Sequence, residues 1–267
     1  MITPPTTTPH YQLGSAPVTG VGFGLPVDQL DQQLAGPVAA LVFDDVGVRS
    51  LGELLDGLAD TEFSRENLDA LLADTSAPED WRVGEALAEH HLSEDHDCFF
   101  PWPDGRDERK RGSSLPGADL VGFQHKNGCE RFVFGEVKTS SHASYPPSAV
   151  YGRHGLKRQM EDLRNRREIR DGLVRYLGHR ANGAAWRARY QAAVAVYLND
   201  TCEVRLFGML VRDVPPHEDD LRVRVNTLTD ACPDAMAIGL IAIYLPAGSI
   251  ANLSAKVVAS RQHGGDS

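Results

Sequence analysis

The chain has 267 residues, 42% of them hydrophobic, with 27 Lys and Arg against 37 Asp and Glu for a formal net charge of −10. That length holds one large domain or two small ones, and the apolar content suffices for a buried core. The acidic balance excludes a general nucleic-acid coat protein, but not an enzyme acting on nucleic acid, because the placement of charge governs such contacts more than its sum.

Residues 1–9, rich in Thr and Pro, read as a loose tail and lack the regions of a signal peptide. Cys98, Cys129, Cys202 and Cys232 form no Cys-x-x-Cys pair, so a structural zinc site is not expected and a reduced, cytoplasmic setting is the default. Residues 1–77 are expected to form an N-terminal region that docks a partner, and 78–267 the functional core. Within the first region, 38–43 reads as a short buried strand, 51–58 as a short helix, and 64–72 as a second helix with Ser64 as its N-cap. Asp44 and Asp45 read as a turn or as a metal pair. Residues 79–92 follow as a helix: Trp81, Gly84, Leu87 or Ala88, and Leu92 fall near helical spacing, and Glu79 and Asp80 suit its positive end. Glu85 lies beside the apolar stripe, with Glu89 one turn further on. His90, His91, His96 and Cys98 match no standard zinc spacing. Residues 99–103 read as extended, with Trp102 either packed or stacked on a base, and the charged segment 104–114 as a loop near the site ordered by substrate.

The informative segment comes next. Asp119 and Glu136 each stand in an apolar, β-branched or aromatic run, 116–123 and 131–139, and such runs read as buried strands. Between them Asn127-Gly128 signals a tight turn, so the two runs form a hairpin that brings Asp119 near Glu136. Side chains alternate along a strand, which puts Glu136 and Lys138 on one face and Val137 on the other. A buried carboxylate without a partner costs several kcal/mol, so a chain that places two there supplies a cation for them. Carboxylate oxygens are hard ligands that suit Mg²⁺.

This pattern resembles the PD-(D/E)XK nuclease superfamily, in which an Asp ends one strand and Glu-x-Lys lies on the next. Asp119 matches the first element and Glu136-Val137-Lys138 the second, while the Pro of the name is displaced to Pro116. The resemblance implies a restriction-endonuclease-like core and a metal-dependent nuclease that hydrolyses DNA phosphodiesters. It implies Mg²⁺ or Mn²⁺ held by Asp119, Glu136 and the helical Glu85, with Lys138 positioning the attacking water. The run Gly117-Ala118-Asp119-Leu120, then Gly135-Glu136-Val137-Lys138-Thr139, then a basic helical segment, is also similar to the nuclease subunit of Hachiman-type bacterial anti-phage systems. That similarity implies a helicase partner.

Past the hairpin, 154–163 reads as a helix with a core stripe of Leu156, Met160 and Leu163. It carries Lys157, Arg158 and Gln159, with Arg164 just beyond, as candidate DNA contacts. Residues 151–190 hold eleven Arg and Lys against four Asp and Glu, a net of +7 against −17 for the rest of the chain. Arg-rich composition beside the hairpin suits phosphate contact. Residues 192–198 and 204–211 read as strands, 217–228 as a helix, 238–245 as a last strand and 261–267 as a frayed tail. The uncharged stretch 235–255 is broken by Pro246 and Gly248, which argues against a membrane span. The pattern predicts an α/β fold with a mixed central β-sheet flanked by helices. A sequence-specific restriction-type endonuclease and a catalytically inactive binding module of the same fold are the alternatives.

Overall fold

A two-residue turn sets the register at the centre of the molecule. Asn127 and Gly128 both take positive φ, 53° and 76°, which these residues tolerate, and Lys126 comes back opposite Cys129. The computed structural model describes residues 8–72, 77–103, 106–107, 117–199, 203–230 and 232–264. The turn joins β4 (Leu120–Lys126) to β5 (Cys129–Ser140). The other strands are β1 (Pro9–Ser15), β2 (Val18–Gly24), β3 (Cys98–Phe99), β6 (Val204–Arg212) and β7 (Met236–Tyr244). Together they make one seven-stranded sheet in the order β1-β2-β7-β6-β5-β4-β3. The inner strands β2, β7, β6 and β5 are parallel neighbours, and β1, β4 and β3 add antiparallel pairs on the two sides. The fold is therefore α/β, a mixed sheet flanked by helices.

Parallel strands covered on both faces read as near-continuous apolar runs, and β6 and β7 do so. Leu206 and Leu210 enter one core cluster, and Phe207, Met209 and Val211 enter the other. The first core lies under α7 (Leu156–Asn165), α8 (Arg167–Ala181), α9 (Arg187–Tyr197) and α10 (Arg222–Thr229). The second lies under α1 (Val27–Ala35), α2 (Pro37–Val42), α5 (Asp80–Asp95) and α11 (Leu253–Gly264). Burying one Leu or Phe side chain stabilises by about 1.5–3 kcal/mol. Exposed ion pairs contribute under about 1 kcal/mol each, so the two clusters fix the sheet. The remaining helices are α3 (Asp45–Leu55), α4 (Glu62–Leu72) and the single turn α6 (Ser148–Tyr151).

Several elements differ from the sequence reading. Residues 38–42 are helical in α2, with Phe43 as its C-cap, started by Pro37 in its first turn with Val38 and Ala39 buried; a short apolar run carries no periodicity that separates helix from strand. Residues 192–198 lie at the end of α9, where Ala193 and Tyr197 are buried one turn apart. Ser64 is not an N-cap, because α4 begins at Glu62. Thr61 and Ser64 instead exchange bonds: the Ser64 N–H donates to Thr61 Oγ1 at 3.1 Å, and the Thr61 N–H to Ser64 Oγ at 2.9 Å. Arg261 belongs to α11 rather than to a frayed tail. Among the described residues of the N-terminal region, β2 pairs in parallel with β7 over residues 18–24, and α1 and α2 share a core with α5 and α11. The stretch 235–255 is β7 and the segment leading into α11, and among the described residues no helix is long and apolar enough to cross a membrane.

Candidate functional site

Counting back from the turn along both strands puts Asp119 across from Glu136, one step beyond the pair Leu120–Gly135. Alternation then aligns Asp119 with Val121 and Phe123, and Glu136 with Phe132 and Phe134, on the face of the first core. Val133 and Val137 face the second core. Asp119 Oδ2 accepts the Val137 N–H at 2.8 Å, which fixes the carboxylate against the neighbouring strand. Lys138 Nζ lies 3.5 Å from Asp119 Oδ2 and 3.5 Å from Glu136 Oε2. Two acids and one ammonium group thus converge at the point where β4 begins.

Glu136 is fully buried. Among the described residues neither of its oxygens has a hydrogen-bond partner. Burial holds its carboxyl well above the usual carboxylate range, and the Asp119 charge adds to this, while Lys138 opposes it. A group in that position holds a proton or a cation. The two carboxyls are hard oxygen donors, and among the described residues Glu136 has no nearer cation than Lys138 at 3.5 Å; such a donor set fits a divalent metal, for which Asp119 and Glu136 would be the protein ligands. Among the described residues no three His, Cys, Asp or Glu side chains are arranged to share an ion as they stand.

Glu85 is placed at one remove. Its helix α5 covers the opposite face of the sheet, approaching β5 where Gly84 meets Thr139 so closely that a Cβ at Gly84 would collide with Thr139 Oγ1. Glu85 and Glu89 share the walls of a small cleft with Asp119, and Arg82 pairs with Glu85 at 3.3 Å. Glu136 is not among the residues that line this cleft. A helical periodicity tells which residues share a face, but not which side of the sheet that face covers.

The four candidate DNA contacts do not form one surface. Gln159 borders a pocket beside Asp119. Lys157 lies on the other flank of α7, against Arg224 and Leu228. Arg158 pairs with Asp162 at 3.3 Å. Arg164 Nη1 donates to the carbonyls of Thr227, Leu228 and Asp230 at 3.0–3.2 Å, satisfying the end of α10. Other cations of the basic segment are likewise engaged. The buried Arg170 donates to the Leu163 and Arg164 carbonyls, and Arg189 holds Glu130 at 3.1 Å through two nitrogens. The positive segment is in part a set of helix and strand clamps.

Other expectations resolve as structure. Asp44 caps α3 by accepting the Gly47 N–H and pairs with Arg106 at 2.6 and 2.7 Å, and Asp45 pairs with Arg261 at 2.6 Å, so the two do not form a metal pair. Trp102 is packed: its Nε1–H donates to Asp107 at 3.0 Å, and the guanidinium groups of Arg106 and Arg180 lie 5.0 and 5.5 Å from its ring centre. Asp107 also accepts from Tyr176 and Arg180, at 2.6 Å each. The expected loop 104–114 otherwise lies outside the described residues, as do Cys202 and Pro116. His91 pairs with Asp95 at 2.8 Å, while burial drives His96 down to about 4 and Cys98 up to about 12.

Two features carried no sequence signal. Gly172 and Tyr176 of α8, with Asp162 of α7, wall the pocket beside Asp119. A buried network braces the loop after β5: Arg212 pairs with Asp220 at 3.3 Å and donates to the carbonyls of Ser140 and Ser144 at 3.1 and 3.0 Å. The Tyr244 hydroxyl donates to Asp220 at 2.8 Å and joins the Tyr11 hydroxyl at 2.8 Å. Burial raises the Asp220 carboxyl, against the hydrogen bond from Tyr244 and the charge of Arg212. These partners are too distant in sequence for any local pattern to reveal. Compared with protein families and with curated proteins, the chain matches none.

Proposed function

We propose that this protein is a metal-dependent nuclease that hydrolyses DNA phosphodiester bonds, with Asp119, Glu136 and Lys138 at its centre. The observation that carries the reading is the buried Glu136 carboxyl, without a hydrogen-bond partner among the described residues, beside Asp119 and under one ammonium group. A purely structural hairpin gains nothing from such a grouping, because an apolar residue at 136 would be the more stable choice. Asp119 and Glu136 are the residues that would hold Mg²⁺ or Mn²⁺, and the bound ion would polarise the phosphate and acidify a coordinated water.

The remaining roles fall to the chain itself. The Val137 N–H fixes one Asp119 oxygen, so that carboxylate is oriented before any ligand arrives. Lys138 brings positive charge to the point where negative charge grows on the phosphate. In the reaction a water oxygen bonds to phosphorus, the bond from phosphorus to one ester oxygen breaks, and a proton ends on the departing oxygen. Glu85, which lines one small cleft with Asp119, would be the third carboxylate of the centre. The resemblance to Hachiman-type nuclease subunits extends the proposal to a helicase partner and an anti-phage role in the bacterial cytoplasm.

The test is incubation of the purified protein with plasmid, single-stranded DNA and RNA in Mg²⁺ or Mn²⁺, with and without the product of any helicase gene beside its own. A Glu136→Ala/Lys138→Ala variant runs in parallel. Metal-dependent cutting that the variant lacks supports the proposal. Fragments with defined ends would favour a restriction-type enzyme, and DNA binding without cutting in every condition an inactive binding module. Mn²⁺ titration by calorimetry reads the metal site without activity, and equal heats from the wild type and the variant would overturn the assignment.

A further inference from the structure

Beside Asp119 lies a pocket of about 520 Å³ on the face that carries Glu136 and Lys138. Gly117 and Ala118, the two residues before Asp119, form one wall. Leu163, Ile169 and Leu173 supply an apolar lining, and Tyr176 an aromatic one. Its volume falls within the roughly 300–1,000 Å³ of small-molecule sites.

Three observations say what the pocket takes. Gln159 Oε1 is buried at its edge without a hydrogen-bond partner among the described residues, an unfavourable state unless an incoming donor meets it. A half-turn of the amide presents Nε2 instead, so this group matches either edge chemistry. Next, Gly172 stands in the middle of α8, where Gly is less favourable than Ala. A Cβ there would meet no atom within 4 Å, so packing does not demand the glycine. Its effect is to widen the pocket. Last, the rim carries carboxylates: Asp162 faces Arg158 at 3.3 Å and Arg166 at 4.0 Å, and Glu168 faces Arg166 at 2.8 Å. A rim of acids matched by arginines carries no net charge and leaves no spare cation to hold a free phosphate, which suits a neutral ring.

An uncharged, flat, hydrogen-bonding group attached one nucleotide from a phosphate at Lys138 meets all three conditions. We propose that the pocket receives the unstacked nucleobase next to the scissile phosphate, held between apolar and aromatic walls with its edge on Gln159. This rests on the nuclease reading. Tyr176 is pre-set for the task, since Asp107 accepts its hydroxyl at 2.6 Å and fixes the ring. The pocket would act as a gauge, passing strands whose bases leave the stack easily and holding intact duplex at a disadvantage.

The experiment uses the full chain, Gly172→Phe to fill the pocket, Gly172→Ala as a folding control, and Gln159→Leu. Oligonucleotides carry one abasic position, moved stepwise along the strand, or one 2-aminopurine at the same positions. For the wild type, one abasic position raises KM at least about tenfold, the loss expected for one stacked base, and 2-aminopurine at that position brightens on binding. Gly172→Phe raises KM comparably on the intact strand, holds kcat within about twofold and no longer responds to the abasic position. Equal KM at every abasic position, or a Gly172→Phe protein that melts like the wild type and cuts with unchanged KM, overturns the proposal. The fluorescence arm needs no cutting. Brightening that Gly172→Phe abolishes, in a protein that never cuts, would keep the pocket and remove the nuclease reading; cutting without brightening would do the reverse; neither signal would remove both.

Discussion

Replacing Glu136 by Met should make the metal-free protein more stable. The carboxyl is fully buried and its two oxygens lack hydrogen-bond partners among the described residues. A buried polar group left without partners costs about 1–3 kcal/mol. Replacing a whole buried ion pair by apolar groups is neutral or stabilising by about 1–4 kcal/mol, whereas removing one partner is costly where it strands the other. Lys138 keeps Asp119 at 3.5 Å in the variant, so no cation is stranded. The expected gain is about 1–3 kcal/mol at pH 8 in EDTA, and each kcal/mol shifts the melting temperature by roughly 2–4 °C in a chain of this size. Thermal and urea melts measure it. Adding Mn²⁺ should reverse the order, because a ligand at a hundred times its Kd stabilises by about 3 kcal/mol, and only the wild type binds. If Glu136→Met lowers the metal-free stability by 2 kcal/mol or more, the carboxyl is a structural group and not a metal ligand in waiting.

The same carboxyl sets a pH dependence. Its folded value lies above the unfolded one, so the folded state holds the proton more tightly, and stability present at acid pH is lost as pH rises through the folded value. Melts of the metal-free wild type should therefore weaken towards alkaline pH, and Glu136→Gln should remove that component. Lys138→Ala should lower the cutting rate at least about 100-fold yet leave Mn²⁺ binding measurable by calorimetry, separating the role of the ammonium group from those of the carboxylates. Arg212→Met should destabilise by about 3–5 kcal/mol, because it leaves Asp220 buried with its charge unpaired; adding Asp220→Leu should recover most of the loss in urea melts. Gly172→Ala should stabilise by about 1 kcal/mol, since its Cβ enters open space; a lower melting temperature would show that packing demands the glycine.

The hairpin was legible in the sequence because two local rules, alternation along a strand and a two-residue Asn-Gly turn, suffice to place Asp119 opposite Glu136. Lys138 followed from the same alternation. The parallel strands β6 and β7 were legible as apolar runs for the same kind of reason. Residues 38–43 and 192–198 were not, because four to seven apolar residues fit a buried helix turn as well as a strand. Nor was the use of the arginines: Arg164 spends its donors on a helix end more than sixty residues away that only tertiary packing brings near. Glu85 shows the same limit, for the helix was readable and the side of the sheet it covers was not.

The partnership of β2 with β7 has a consequence for how the protein comes into being. A strand made among the first 24 residues finds its neighbour only after residues 236–244 have left the ribosome. Until then it has no parallel mate, and the inner sheet lacks one flank. Closing so distant a pair is among the slower steps a chain takes. Biosynthesis itself therefore imposes a delay, so the hairpin with Asp119 and Glu136 is complete on the nascent chain well before the framework that presses its acids together is.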